Sequence, residues 1–285
     1  MTDKTQHEEG PLREVESTIH TDFSKDMSYA DYLRLDGLLA AQRPVSEAHD
    51  EMLFIILHQA SELWIKLMIF EVRAAMNDLK TDQLKPAFKK LSRVSRIQAQ
   101  MIQSWDVLST LTPADYLTFR SQLGHSSGFQ SHQYRELEFS LGNKNRGHLK
   151  PHEHSDDIYA HLQSVLNSPS LYDEALLLLA RRGFELPDSV VARDWSAPYS
   201  ENEAVLGVWT TIYQDTEKYW DLYEMAEKLV DLEDWFQQWR FRHMKTVERI
   251  IGFKTGTGGS SGVPFLQRAL NIRLFPELWS LRTSL

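Results

Sequence analysis

The sequence predicts an all-α protein. Apolar residues recur at the 3.6-residue period of a helix along most of the chain, alternating strand patterns are almost absent, and β-branched residues are scattered rather than grouped in runs.

The elements follow in order. Residues 1–23 lack hydrophobic periodicity and read as a disordered tail, leaving 24–285 as a single all-α domain. Ser28 with Asp31 three residues later has the form of a capping box and opens a helical segment to Gln42, which Pro44 closes. Ser46 precedes a long apolar stretch, 52–76, and Thr81 precedes another that runs past Trp105. Thr112-Pro113 starts a third as N-cap and first-turn proline. Ser170 with Asp173 begins 171–182, which Gly183 ends. Residues 142–157 and 186–200 are irregular excursions between helices, since helical patterning resumes on both sides. The segment 235–252 is patterned as a helix, and the loop Thr255-Gly-Thr-Gly-Gly-Ser-Ser-Gly262 follows it.

Composition narrows the chemistry. A chain of 285 residues can bury a substantial core. The absence of cysteine excludes disulfides, thiolate-ligated haem, iron–sulfur clusters and cysteine nucleophiles, so any metal must be held by nitrogen or oxygen. A formal net charge of -9 argues against nucleic acid as a partner. No uninterrupted apolar run approaches the length a membrane span needs, and the first dozen residues are polar, with no hydrophobic core for a signal peptide. The expectation is a cytoplasmic protein without a membrane partner.

Three motifs invite overreading. Gly124-His-Ser-Ser-Gly128 satisfies Gly-x-Ser-x-Gly, but a nucleophile elbow needs a strand leading into it, and here a capped helix start precedes. The glycine loop fits neither Gly-x-Gly-x-x-Gly nor a Walker loop. It can still approach an anionic or zwitterionic group through backbone amides and the hydroxyls of Thr257, Ser260 and Ser261; the bland alternative is a flexible connection. His148, His152, His154 and His161, with Asp156 and Asp157, match no established ligand spacing and read as a solvated loop.

Histidines in apolar helices are a different matter. His243 shares one helix face with Phe236, Trp239, Val247 and Ile250, where a buried axial ligand would sit. His58 lies in another apolar helix with Phe54 one turn before it. Each alone reads as a core residue, yet two such histidines could stand on opposite sides of one flat cofactor, haem being the obvious candidate. Tyr116 and Arg120, at i,i+4, could receive a carboxylate, or could be a surface arginine packed on a ring.

Taken together these residues resemble the tryptophan 2,3-dioxygenase family. The resemblance is carried by His49-Asp-Glu-Met-Leu-Phe-Ile-Ile-Leu-His-Gln-Ala-Ser-Glu-Leu-Trp-Ile-Lys66, Ser126-Ser-Gly-Phe-Gln-Ser131, Gly142-Asn-Lys-Asn145, Trp239-Arg-Phe-Arg-His243, Gly256-Thr-Gly-Gly-Ser-Ser-Gly262 and Phe275-Pro-Glu-Leu-Trp279. It runs from about Tyr29 to the C-terminus. Leu57, Phe253 and Thr255 stand where the family varies.

The resemblance implies a homotetramer of helical subunits, each with haem b, that converts L-tryptophan and O2 to N-formyl-L-kynurenine. It implies His243 as the axial iron ligand, with Trp105, Ser127 and Gly128 around the haem. His58 would meet the indole N–H, and Phe54 would pack on the indole. Tyr116 and Arg120 would contact the substrate carboxylate and Thr257 the amino-acid zwitterion. Tyr29, Tyr32 and Leu33 would reach a neighbouring subunit's pocket. A haem sensor would share both histidines without needing Tyr116, Arg120 and Thr257, and a non-haem helical scaffold would need neither histidine as a ligand.

Overall fold

Helix capping and apolar periodicity account for most of the architecture. The computed structural model describes residues 15–285, and these contain helices, turns and loops with no strand, as an all-α protein requires. The chain divides into two compact units, residues 1–43 and 44–285. Of the expected tail, 1–14 lies outside the described residues, and the rest forms turns and bends without a helix.

The N-terminal unit carries α1 (Tyr29–Leu33) and α2 (Leu35–Leu39). The expected capping box is present: Asp31 N–H donates to Ser28 Oγ at 3.1 Å, and Ser28 N–H donates to the Asp31 carboxylate at 3.0 Å. The single helical segment expected to Gln42 is instead broken at Arg34, whose φ of 52° is left-handed.

The second unit is built on three long helices. They are α3 (Glu51–Lys80), α4 (Leu84–Leu108) and, after six shorter ones, a 32-residue helix (Trp220–Ile251). Between them come α5 (Pro113–Phe119), α6 (His132–Leu141), α7 (Asp156–Leu166), α8 (Leu171–Arg181), α9 (Asp188–Val191) and α10 (Glu203–Gln214). The 32-residue helix is therefore α11, and α12 (Val263–Ala269) and α13 (Pro276–Ser284) follow. α4 packs against both α3 and α11, with Val72, Ala75, Leu79, Leu91, Leu229 and Leu232 fully enclosed. Each large aliphatic side chain buried this way contributes about 1.5–3 kcal/mol.

Two helix starts differ from expectation. Ser46 does not cap α3; it and Val45 donate backbone N–H groups to the buried Glu51 carboxylate at 2.8 and 2.7 Å, which holds the approach to the helix. Thr81 closes α3 instead of opening α4, because Asp82 turns left-handed at φ 59°. Thr112 and Ser170 do form capping boxes with Asp115 and Asp173.

By length and composition α3 could cross a membrane, with mean hydropathy 1.5 in its most apolar stretch, although polar residues interrupt every apolar run. It packs against α4, α6 and α8. Ile56, Leu63 and Phe70, spaced by seven, stand exposed along one side of it, Phe70 to 68%.

Buried carboxylates pin the C-terminal segment to this frame. Glu233 accepts from the Leu274 and Phe275 backbone N–H groups at 2.8 and 3.0 Å and from Trp279 Nε1 at 2.8 Å. Glu277 accepts from the hydroxyls of Tyr172 and Tyr199 and from Asn202 N–H, at 2.8, 2.6 and 2.8 Å. Burial raises the pKa of both carboxyls, and the donors around them act in the opposite direction.

Candidate functional site

His243 projects from α11 into aromatic surroundings. Its ring stacks on Trp105 of α4, with centroids 4.7 Å apart and planes at 12°, and meets Trp239, one helical turn earlier, at 5.6 Å. Neither ring nitrogen of His243 has a hydrogen-bond partner among the described residues. Burial, with a smaller contribution from nearby His58, holds its pKa down at about 4, so the imidazole is neutral and carries a free lone pair at neutral pH.

His58 comes from α3. Its Nδ1 lies 2.7 Å from the Phe54 carbonyl oxygen, and since a carbonyl can only accept, Nδ1 carries the proton and Nε2 is left as the acceptor of the neutral ring. Burial lowers this pKa too, against the opposing pull of the Phe54 carbonyl and Glu62. The helical i,i+4 relation sets Phe54 against His58 at 4.1 Å, and α5 adds Tyr116 and Phe119 at 5.9 and 5.6 Å from Phe54. Tyr116 is buried, which raises its pKa, and the guanidinium of Arg120 offsets part of that rise.

The glycine loop lies against this wall, tied to it by two hydrogen bonds. Arg120 Nη2 donates to the Thr255 carbonyl at 2.6 Å, and Thr257 Oγ1 donates to the Ser126 carbonyl at 2.5 Å. Arg120 Nε is shut from solvent and has no partner among the described residues. Close approach requires glycine at position 258, where a Cβ would stand 2.7 Å from Ser127 Cβ. Gly262 has φ 68°, and a Cβ there would meet the Lys254 carbonyl oxygen at 2.5 Å. Ser127 caps a short 3-10 turn, accepting from Phe129 N–H at 3.3 Å, and the Cβ direction of Gly128 faces open space.

The structure therefore joins Phe54, His58 and Tyr116 directly, sets Trp105 on His243, and draws Arg120, Ser126 and Thr257 together through the loop. Tyr29, Tyr32 and Leu33 belong to the N-terminal unit, where the tyrosines stand 75% and 74% exposed.

Neither of the other motifs forms a site. The segment before Ser126 is a 3-10 turn (Arg120–Leu123), not a strand, so there is no nucleophile elbow. His161 turns to Glu136 at 2.7 Å, His154 to the Pro151 carbonyl at 2.9 Å and His148 to Arg135 at 3.3 Å, while His152 is buried with its Nε2 unpaired among the described residues, so this stretch is not the fully solvated loop its composition suggests. No grouping of side chains that could hold a metal ion by itself occurs among the described residues.

Sequence reasoning left out the contributions of Trp239, Phe119, Thr255 and Ser126. Trp239 carries a signal, since it shares the His243 face, but an aromatic ring there also reads as core. Thr255 and Ser126 act through main-chain oxygens, which leave no mark in a side-chain pattern.

Comparison with known proteins bears on the whole chain. Residues 14–285 match the family described as tryptophan 2,3-dioxygenase. A tryptophan 2,3-dioxygenase of a Polaromonas species is 60% identical over 264 residues, covering 93% of this chain and 90% of that protein. Those of Bacillus thuringiensis subsp. konkukian and Bordetella parapertussis are 56% and 54% identical, covering 95% and 96% of this chain and 97% and 99% of their own.

Proposed function

The chain belongs to the tryptophan 2,3-dioxygenase family, and from that membership we propose its reaction. It inserts both atoms of O2 across the indole C2–C3 bond of L-tryptophan, giving N-formyl-L-kynurenine, the first step of tryptophan catabolism by the kynurenine pathway. The observation that carries the reading is the pair of imidazoles walled by aromatic rings, His58 of α3 against Phe54 and His243 of α11 against Trp105 and Trp239.

These residues fit haem b. His243 would hold the iron through an unpaired ring nitrogen, Trp105 packs on that imidazole, and the Cβ direction of Gly128 opens onto free space. Bound haem would supply the iron chemistry that uses O2.

The remaining chemistry belongs to the chain. His58 Nε2 accepts the indole N–H and orients the ring; it does not need to remove that proton, which is far too weakly acidic. Phe54 packs on the indole, and the Tyr116 hydroxyl contacts the α-carboxylate. Arg120 binds the α-carboxylate, with Thr257 contacting the zwitterion, and the loop they anchor excludes water from the reacting ring. The exposed stripe of α3 and the exposed Tyr29 and Tyr32 support a homotetramer in which Tyr29, Tyr32 and Leu33 complete a neighbouring subunit's pocket. The cytoplasm is the compartment we assign, with no membrane or nucleic acid as partner.

The test is direct. A reduced, haem-loaded sample given L-tryptophan and O2 should develop N-formylkynurenine absorbance, and His243→Ala should lose the Soret band. No product from the parent, or an unaltered Soret spectrum in His243→Ala, would overturn the reading.

A further inference from the structure

Indoles in the interior of this chain differ in whether their N–H is used. Trp209 Nε1 donates to the Tyr172 hydroxyl at 3.0 Å and Trp279 Nε1 to the Glu233 carboxylate at 2.8 Å. Trp105 and Trp239, the two rings against His243, are both buried, lie 5.9 Å apart, and have no acceptor for either N–H among the described residues. A buried N–H is almost always paired, because leaving it dry forfeits its hydrogen bond to water. Two unpaired donors on different helices, both touching one imidazole, mark a place where the acceptor comes from outside the chain.

The acceptor's chemistry follows from the donors. The ring faces that line this place accept hydrogen bonds poorly, whereas a carboxylate accepts several and binds N–H donors about twice as strongly as a neutral oxygen does. We propose that Trp105 and Trp239 donate their indole N–H groups to carboxylate oxygens of the cofactor that His243 ligates. They are positioning residues: they fix the cofactor against α4 and α11 and take no part in the reaction at the indole of the substrate. The inference rests on the haem reading above, since haem b carries two propionate groups.

Cofactor release tests it without recourse to activity. Holoenzyme is mixed with excess apomyoglobin and haem transfer is followed in the Soret region, for the parent, Trp105→Phe and Trp239→Phe, each loaded with haem b or with its dimethyl ester. Phenylalanine keeps a ring and removes the N–H, and the ester removes the carboxylate charge. With haem b each variant should release cofactor about tenfold faster than the parent. With the ester, the parent and the variants should agree within about twofold, because the N–H groups no longer have a charged acceptor. Unchanged release of haem b by both variants, or equal acceleration with haem b and its ester, would overturn the proposal, the latter showing a packing role only. A parent that takes up no haem would overturn the haem reading and this inference together, whereas a parent that binds haem normally beside indifferent variants removes this inference alone.

Discussion

A guanidinium that gives one donor to a backbone carbonyl, as Arg120 does to Thr255, still carries a full positive charge. That charge supports the proposal that Arg120 anchors the α-carboxylate. Arg120→Ala should raise KM by roughly 30-fold or more, since removing one partner of an enclosed charge pair costs about 2–5 kcal/mol; unchanged steady-state kinetics would refute the assignment. His58 is an acceptor through Nε2 because Phe54 occupies its Nδ1–H. His58→Ala should therefore bind L-tryptophan and keep part of its turnover; complete loss of activity with normal binding would show a chemical role instead of an orienting one. At this scale helical spacing and residue chemistry bring His58, His243, Tyr116 and Arg120 forward as candidates, and the role proposed for each comes from the family resemblance. The main-chain oxygens of Ser126 and Thr255 were not legible, because every residue has one.

Helix starts were legible where a hydroxyl and a carboxylate lie three residues apart, as at Thr112 and Asp115 or Ser170 and Asp173, since both halves of the capping bond are written in the sequence. They were misread at Ser46 and Thr81, where a lone hydroxyl served a different turn. The break at Arg34 was also missed, because no glycine marks its left-handed backbone. Long-range polar pins are invisible at this level. Glu233 satisfies three donors contributed by residues about 40 positions away, and Glu233→Ala would strand all three in the core. We expect that substitution to lower unfolding stability by roughly 3 kcal/mol or more, read from denaturant midpoints at unchanged slope; a loss below about 1 kcal/mol would show that the C-terminal segment is held by packing alone.

The exposed stripe of Ile56, Leu63 and Phe70 has the seven-residue spacing of a helix seam, and it belongs to the helix that carries Phe54 and His58. Assembly and pocket would then share one element. Phe70→Glu should shift the sedimentation coefficient from that of a tetramer to a smaller species; a parent that sediments as a monomer, or a variant that stays tetrameric, would count against the stripe as an interface. One consequence of the loop's geometry concerns its history rather than its chemistry. Its ties to the rest of the chain end on main-chain oxygens of Thr255 and Ser126, atoms that no codon change can remove. Mutation can therefore pass through Thr255 and Ser126 while the lid stays latched, whereas Arg120 and Thr257, whose side chains donate the two bonds, are held. Gly258 and Gly262, where a single methyl group has nowhere to go, are the positions at which drift should stop.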